Sequence, residues 1–318
     1  MRKQLKRDQV AAFFAELQPR LIGVEACGGA HFWAAKLASL GHQVKMMAPQ
    51  FVKPYVKTNK NDSLDAEAIC EAVARPNMRF VPVKNPEQQS VLTLHTARER
   101  FVRDRSAQAN QIRGLLMEFG LVVPQGIRHV YARVPELIED ASNELPGRFR
   151  LLIKRLLDHL KELDRHVGDL EREIEQCHRG SEVSKRLETI PGIGPITASA
   201  LVASAGDPSN CKSARQFAAW IGLVPHQNSS GGKTQLLGIS KRGDVYLRTL
   251  LITLFIHGGR ALVQLARTRA DRAGTWLGKL VTRRHHNVAA ANKNARLAWA
   301  LLSSGKAYEP GHVPAPNV

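Results

Sequence analysis

The sequence predicts an α/β layer followed by a mostly helical remainder. Three observations lead there. Helix and strand signals alternate over residues 1–84, a heptad seam runs along one long charged helix, and a glycine turn opens a small-residue helix beyond it. Strands alternating with helices favour parallel pairing inside a covered layer. A seam of apolar residues at alternating steps of four and three requires a partner helix.

In the first region, Asp8 to Leu17 is expected as a helix and LIGVEACG (21–28) as a short buried strand entering a glycine turn. His31 to Leu40 follows as helix and HQVKMMA (42–48) as a second strand. Asp62 to Ala74 is a helix opened by polar residues, and MRFVPV (78–83) is extended. The second region begins with a long helix, Glu87 to Phe119, carrying Arg98, Arg100, Arg103, Arg105 and Arg113. After a break around Pro124 and Gly126, a longer helix spans Pro146 to His178. Its seam is Phe149, Ile153, Leu156, Leu160, Leu163, Val167, Leu170, Ile174 and Cys177. Either the arginine-bearing helix folds back on that seam or a second subunit covers it, and the balance leans to a homo-oligomer. The third region, about 181–306, contains TIPGIGPITASALVASAGD, the segment WIGLVPHQNSSGGKTQLLGISKRGDVYLR and a helix from Tyr246 to Leu265. The tail, residues 307–318, is expected to be disordered.

Composition narrows the partners. Lys and Arg number 46 against 28 acids, a formal charge of +18, and the isoelectric point is near 10.2. Such an excess draws polyanions and speeds their encounter. The most apolar run, Leu247 to Ile256, is too short to span a bilayer and contains Arg248, so no membrane partner is expected. The opening MRKQLKRDQV lacks the apolar stretch of a signal peptide. Cys27, Cys70, Cys177 and Cys211 are scattered, forming neither a zinc pair nor a disulfide framework, as suits a reducing cytoplasm.

Three sets of residues carry chemistry. Gly192 and Gly194 permit a tight turn, Pro195 suits a first helical turn, and the free amides there suit a phosphate. The pattern resembles a helix-hairpin-helix, which grips nucleic-acid backbone; a plain connection between helices is the alternative. Ser229 and Ser230 stand in a glycine turn followed by Lys233, Lys241, Arg242 and Arg248, all candidate DNA contacts, of which Lys233, Lys241 and Arg242 could stabilise charge on a phosphate under attack. Ordinary loop chemistry would also place serine beside glycine. Glu25 closes a predicted strand, where sites form in open α/β sheets. A surface strand-end residue is the competing reading of Glu25. Asp62 and Asp65 share a helix face and offer hard oxygen ligands for Mg²⁺ or Mn²⁺. Asp62 as a mere helix cap is the competing reading.

The order GVEACG, NKNDSLDAEAI, NQIRGLLMEFG, IPGIGPITASAL, GLVPHQNSSGG and GISKRGDVYLR resembles that of the DEDD-type insertion-sequence transposases, family one-ten, subgroup eleven-eleven, which include the pilin-inverting recombinase. The likeness covers residues 1 to about 306. It implies an RNase H-fold (RuvC-like) domain over residues 1–120, a linker and coiled-coil helix over 121–180, and a mostly helical C-terminal transposase domain over 181–306. It also implies a bacterial cytoplasmic protein that cleaves and rejoins DNA with Mg²⁺, and for some members a guide RNA encoded by the element. The second, third and fourth family acids fall on Glu25, Asp62 and Asp65. The family serine, five residues after a proline and directly before a glycine, falls on Ser230. The first aspartate, set in a G-[IV]-D strand, has no counterpart here, since Asp8 lies in a predicted helix. The expectation is therefore an incomplete RuvC-like domain in an N-terminally truncated chain that binds DNA and cleaves it poorly. A non-catalytic DNA-binding protein and a Holliday-junction nuclease are the readings that compete with a transposase.

Overall fold

In the computed structural model, the described residues are 3–57, 61–233, 235–257 and 286–309. They form two compact units, Met1–Gln89 and Ser90–Val318.

The N-terminal unit is built on one sheet. Its strands are β1 (Leu21–Glu25), β2 (Gln43–Met47) and β3 (Phe80–Val81), in that order. β1 and β2 pair in parallel from Leu21 opposite Gln43 to Glu25 opposite Met47, as the alternation of elements predicts. β3 runs antiparallel to β2, an edge arrangement common on otherwise parallel sheets. Helices α1 (Gln9–Ala15), α2 (Ala30–Ser39), α3 (Pro49–Val52) and α4 (Asp62–Val73) complete the unit. Successive strand residues face opposite ways. Met46 accordingly packs with Ala30 and Ala34 of α2, while Met47 packs with Val52, Ala68 and Ala72 of α3 and α4. The two methionines at the end of β2 are therefore buried on opposite faces of the sheet. Gly23 lets α4 lie close on β1, since a Cβ there would stand 2.9 Å from Ile69 Cγ2.

The C-terminal unit begins within α5 (Pro86–Met117), followed by α6 (Ile127–Glu139) and α7 (Gly147–Arg179). α5 and α7 run antiparallel. Phe119 stacks near Phe149, Gln108 is hydrogen-bonded to His159, Arg105 pairs with Asp164, Phe101 stacks on His166, and Arg98 pairs with Glu171. Ile153, Leu160, Leu163, Val167 and Ile174 of the predicted seam are buried. The partner the seam requires is thus supplied within the chain, by α5 and α6, and the seam does not itself call for a second subunit. Helix α6 was not anticipated from sequence. Val130 and Val134 bury its apolar face, but Pro135 interrupts the pattern.

Beyond α7 come α8 (Glu182–Glu188), α9 (Pro195–Ala205), α10 (Ala214–Ile221), β4 (Pro225–Gln227), β5 (Leu236–Ile239), α11 (Val245–His257) and α12 (His286–Ser304). The small residues of α9 let it pass through the core, with Ala198, Ala200, Leu201 and Ala203 buried among α7, α8 and α11. The helix expected over Tyr246 to Leu265 is observed to His257. Its remaining residues, and residues 310–318 of the expected disordered tail, lie outside the described residues. Among the described residues, no helix is long and apolar enough to cross a membrane.

Candidate active site and nucleic-acid interface

In the N-terminal unit, Glu25 is the last residue of β1, half-buried, and α4 packs against that strand. Asp62 and Asp65 lie together in the first turn of α4. Neither caps the helix. Asn61 does so, its Oδ1 accepting from Leu64 N at 2.9 Å, which leaves Asp62 exposed and unused. Among the described residues, the side chains of Glu25, Asp62 and Asp65 take part in no hydrogen bond or ion pair. Three free carboxylates fit a hard divalent cation by donor chemistry. Even so, no group of three or more His, Cys, Asp or Glu among the described residues is gathered closely enough to hold a metal by itself.

In the C-terminal unit, the serine segment is a β-hairpin. β4 and β5 pair antiparallel, and the ladder closes at the tip with Ser230 opposite Lys233 and Lys233 N donating to Ser230 O at 3.0 Å. Between them Gly231 and Gly232 both take positive φ, 55° and 77°, as the two-residue turn favoured in hairpins demands. The two serines differ. Ser229 Oγ accepts from Gln227 Nε2 at 2.9 Å and Gln235 N at 3.4 Å, so it braces the hairpin. Ser230 is exposed, and its hydroxyl is unengaged among the described residues. Lys233, Lys241 and Arg242 are likewise exposed, with no ion pair among the described residues.

Arg248 does not join them. Only 8% exposed, it donates from Nη1 to Ile221 O at 3.1 Å and Arg242 O at 3.3 Å. The expected DNA-contacting role at Arg248 is corrected by this burial: its guanidinium is turned into the protein and occupied with main-chain carbonyls.

The glycine segment forms a turn between α8 and α9. Gly192 has φ 88°, Gly194 is the N-cap of α9, and Pro195 follows at the helix start. Both glycines are partly exposed, and a Cβ at Gly194 would meet nothing within 4 Å. Ile190 and Ile193 are buried beneath the turn, holding its backbone outward.

Comparison with known proteins places both sets of residues in one lineage. A family model described as "Transposase", of the DEDD type, matches residues 2–120, which include the three acids. A second, described as "Transposase IS116/IS110/IS902 family", matches residues 184–276, which include the glycine turn and the serine hairpin. The chain is 51% identical over 314 residues to a Pseudomonas aeruginosa protein named "Probable family 20 transposase", covering 98% of this chain and 92% of that one. It is 44% identical to the transposase for insertion sequence element IS1328 of Yersinia enterocolitica, covering 97% and 91%. It is 43% identical to the transposase for insertion sequence element IS1111A of Coxiella burnetii, covering 97% and 85%.

The chain belongs to the IS116/IS110/IS902 family of transposases.

As a transposase it has DNA for its partner, and several residues that serve this architecture gave little sign in the sequence. Asn292 and Asn294 of α12 donate from Nδ2 to Leu223 O, at the foot of the serine hairpin, and to Pro191 O, in the glycine turn, both at 3.0 Å. Asparagines in an otherwise alanine-rich helix are the available signal. His95 of α5, 1% exposed, is hydrogen-bonded to Tyr246 Oη at 3.0 Å and Ser199 Oγ at 3.2 Å, tying α5, α9 and α11 together. Burial, helped by Arg98, lowers the His95 pKa to about 4, so the ring is neutral. The arginines of α5 are also spoken for. Arg98, Arg100, Arg103 and Arg105 pair with carboxylates, and Arg113 donates to Val123 O. The positive charge along α5 is therefore largely offset by its own neighbours.

Proposed function

We propose that this transposase cleaves and rejoins DNA with Ser230 as nucleophile and with Glu25, Asp62 and Asp65 as ligands of a divalent cation, magnesium or manganese. The observation that carries the reading is the contrast between the serines: Ser229 is committed to the hairpin, whereas Ser230, at its tip, is exposed and has no partner among the described residues. Ser230 Oγ attacks a backbone phosphorus, forming an O–P bond as the bond from phosphorus to one neighbouring sugar oxygen breaks. The serine proton passes to solvent, and the departing sugar oxygen takes one up. Reverse attack by another sugar hydroxyl rejoins the strand and frees the serine. Because one phosphoester replaces another, no external energy source is needed. Lys233, Lys241 and Arg242 offset the charge that builds on the phosphate oxygens. The amides of the Gly192–Gly194 turn hold backbone further along as a helix-hairpin-helix would.

The acids would hold a cation whose role is to neutralise phosphate charge. A guide RNA, which the family resemblance implies for some members, would meet cations other than the paired arginines of α5. A homo-oligomer would be built on surfaces other than the covered α7 seam.

The test incubates supercoiled DNA bearing the element ends with Mg²⁺ and scores a denaturation-resistant protein–DNA adduct. It is run on residues 1–318 and on a form with a G-[IV]-D strand added ahead of Met1. A protease-sensitive adduct lost in Ser230→Ala and kept in Ser229→Ala is expected. DNA binding with no adduct in either form would favour a non-catalytic binding protein. Cutting that survives Ser230→Ala would favour a metal nuclease of the Holliday-junction kind.

A further inference from the structure

Among the described residues, the serine hairpin is held in place mainly at its two ends. Every described residue of 225–233 and 235–238 is exposed, so no core packing orients the tip. The ends, by contrast, are locked together. Ser240 N donates to Val224 O at 2.8 Å, and Lys241 N donates to Gly222 O at 3.2 Å. A Cβ at Gly222 would stand 1.9 Å from Arg242 O, and one at Gly243 would stand 1.8 Å from Trp220 O. The strand leaving the hairpin therefore lies against the end of α10 at a distance that only glycines allow. Lys241, between them, is held at φ 54°, a conformation an L-residue adopts only where its surroundings impose it.

Arg248 closes this junction. Its guanidinium reaches Ile221 O, just before the hairpin, and Arg242 O, just after it. It sits on α11, whose first turn is fixed by Asp244 Oδ1 accepting from Leu247 N at 2.9 Å and by the His95–Tyr246 contact. We propose that Arg248 is a positioning residue for Ser230. By bridging the two ends of a hairpin whose described residues are exposed, it sets the direction in which the serine points without touching DNA. Placement matters here because an error of about 1 Å at a reacting group costs rate on the order of a hundredfold. The inference rests on Ser230 being the nucleophile.

The experiment compares Arg248→Met, Arg248→Lys and Gly243→Ala with the unaltered transposase in three measurements: DNA affinity, rate of adduct formation, and hydrogen exchange of peptides covering 222–244 and 195–205. Expected are an affinity within about threefold of the original and an adduct rate lowered by about tenfold or more. Exchange should speed up in 222–244 alone, as befits local rather than global opening. Arg248→Lys should restore part of the rate lost in Arg248→Met. An unchanged adduct rate would overturn the proposal. So would a parallel fall in affinity and rate, which marks a phosphate contact, or equal acceleration of exchange in both peptides, which marks general destabilisation. Ser230→Ala, run alongside, separates the two claims. An adduct persisting there removes the nucleophile assignment and this inference with it. An adduct lost there but unaltered in Arg248→Met removes this inference alone.

Discussion

Ser230 and Ser229 are adjacent and chemically identical, yet the hairpin gives them different work. Ser229 Oγ is a bracket for Gln227 and Gln235, whereas Ser230 is exposed and its Oγ has no partner among the described residues. Ser229→Ala should cost no more than about 1 kcal/mol of local stability, the usual worth of such hydrogen bonds, and leave cleavage within a few-fold, as thermal melts and adduct assays will show. If Asp65 holds the proposed cation, Asp65→Asn should abolish metal-dependent cleavage while preserving DNA affinity, since the change removes a carboxylate charge and leaves the helix start intact; gel-shift and cleavage measurements on the same sample check it. How far the sequence revealed the site also varies residue by residue. The acids and serines proposed for the site stand out in the sequence only as residue types at a strand end, a helix start and a glycine turn. That Asn61 rather than Asp62 caps α4 was not, because both are good caps and only the backbone decides between them. Arg248 was misread for a related reason. A basic residue in a basic segment looks like a phosphate contact until the structure shows carbonyls collected around it.

At the level of elements, long amphipathic helices were legible and their partners were not. The α7 seam announced itself through spacing, but the complementary α5 shows mainly charge, and whether it folds back is settled only by paired contacts such as Arg105 with Asp164. Leu160 is fully buried in that seam, so Leu160→Ala should destabilise the C-terminal unit by about 2–5 kcal/mol in chemical denaturation. Helix α5 is also fastened to α9 and α11 through His95. Its pKa in the folded protein, about 4, lies below the unfolded value of 6.5. Between those values the unfolded chain binds the proton and the folded chain does not, so stability is full above pH 6.5 and falls as the pH drops toward 4. Roughly 2 kcal/mol should be lost from this group between pH 7.5 and pH 5, and His95→Gln should remove much of that dependence in denaturation curves.

Across the whole molecule, the charge of +18 predicts a polyanionic partner but not which cations meet it. Many arginines are consumed by internal pairing, and the exposed Lys233, Lys241 and Arg242 cluster on and beside the serine hairpin. Lys241→Ala should weaken DNA binding about equally across sequences and reduce the slope of log affinity against log salt by about 1. The decisive measurement is mass spectrometry of the protein–DNA adduct after nuclease and protease digestion. A phosphonucleotide on the peptide containing Ser230, absent from Ser230→Ala, is the predicted result. A modification mapped to Ser229 or elsewhere, or cleaved DNA with no modified peptide, would contradict the account.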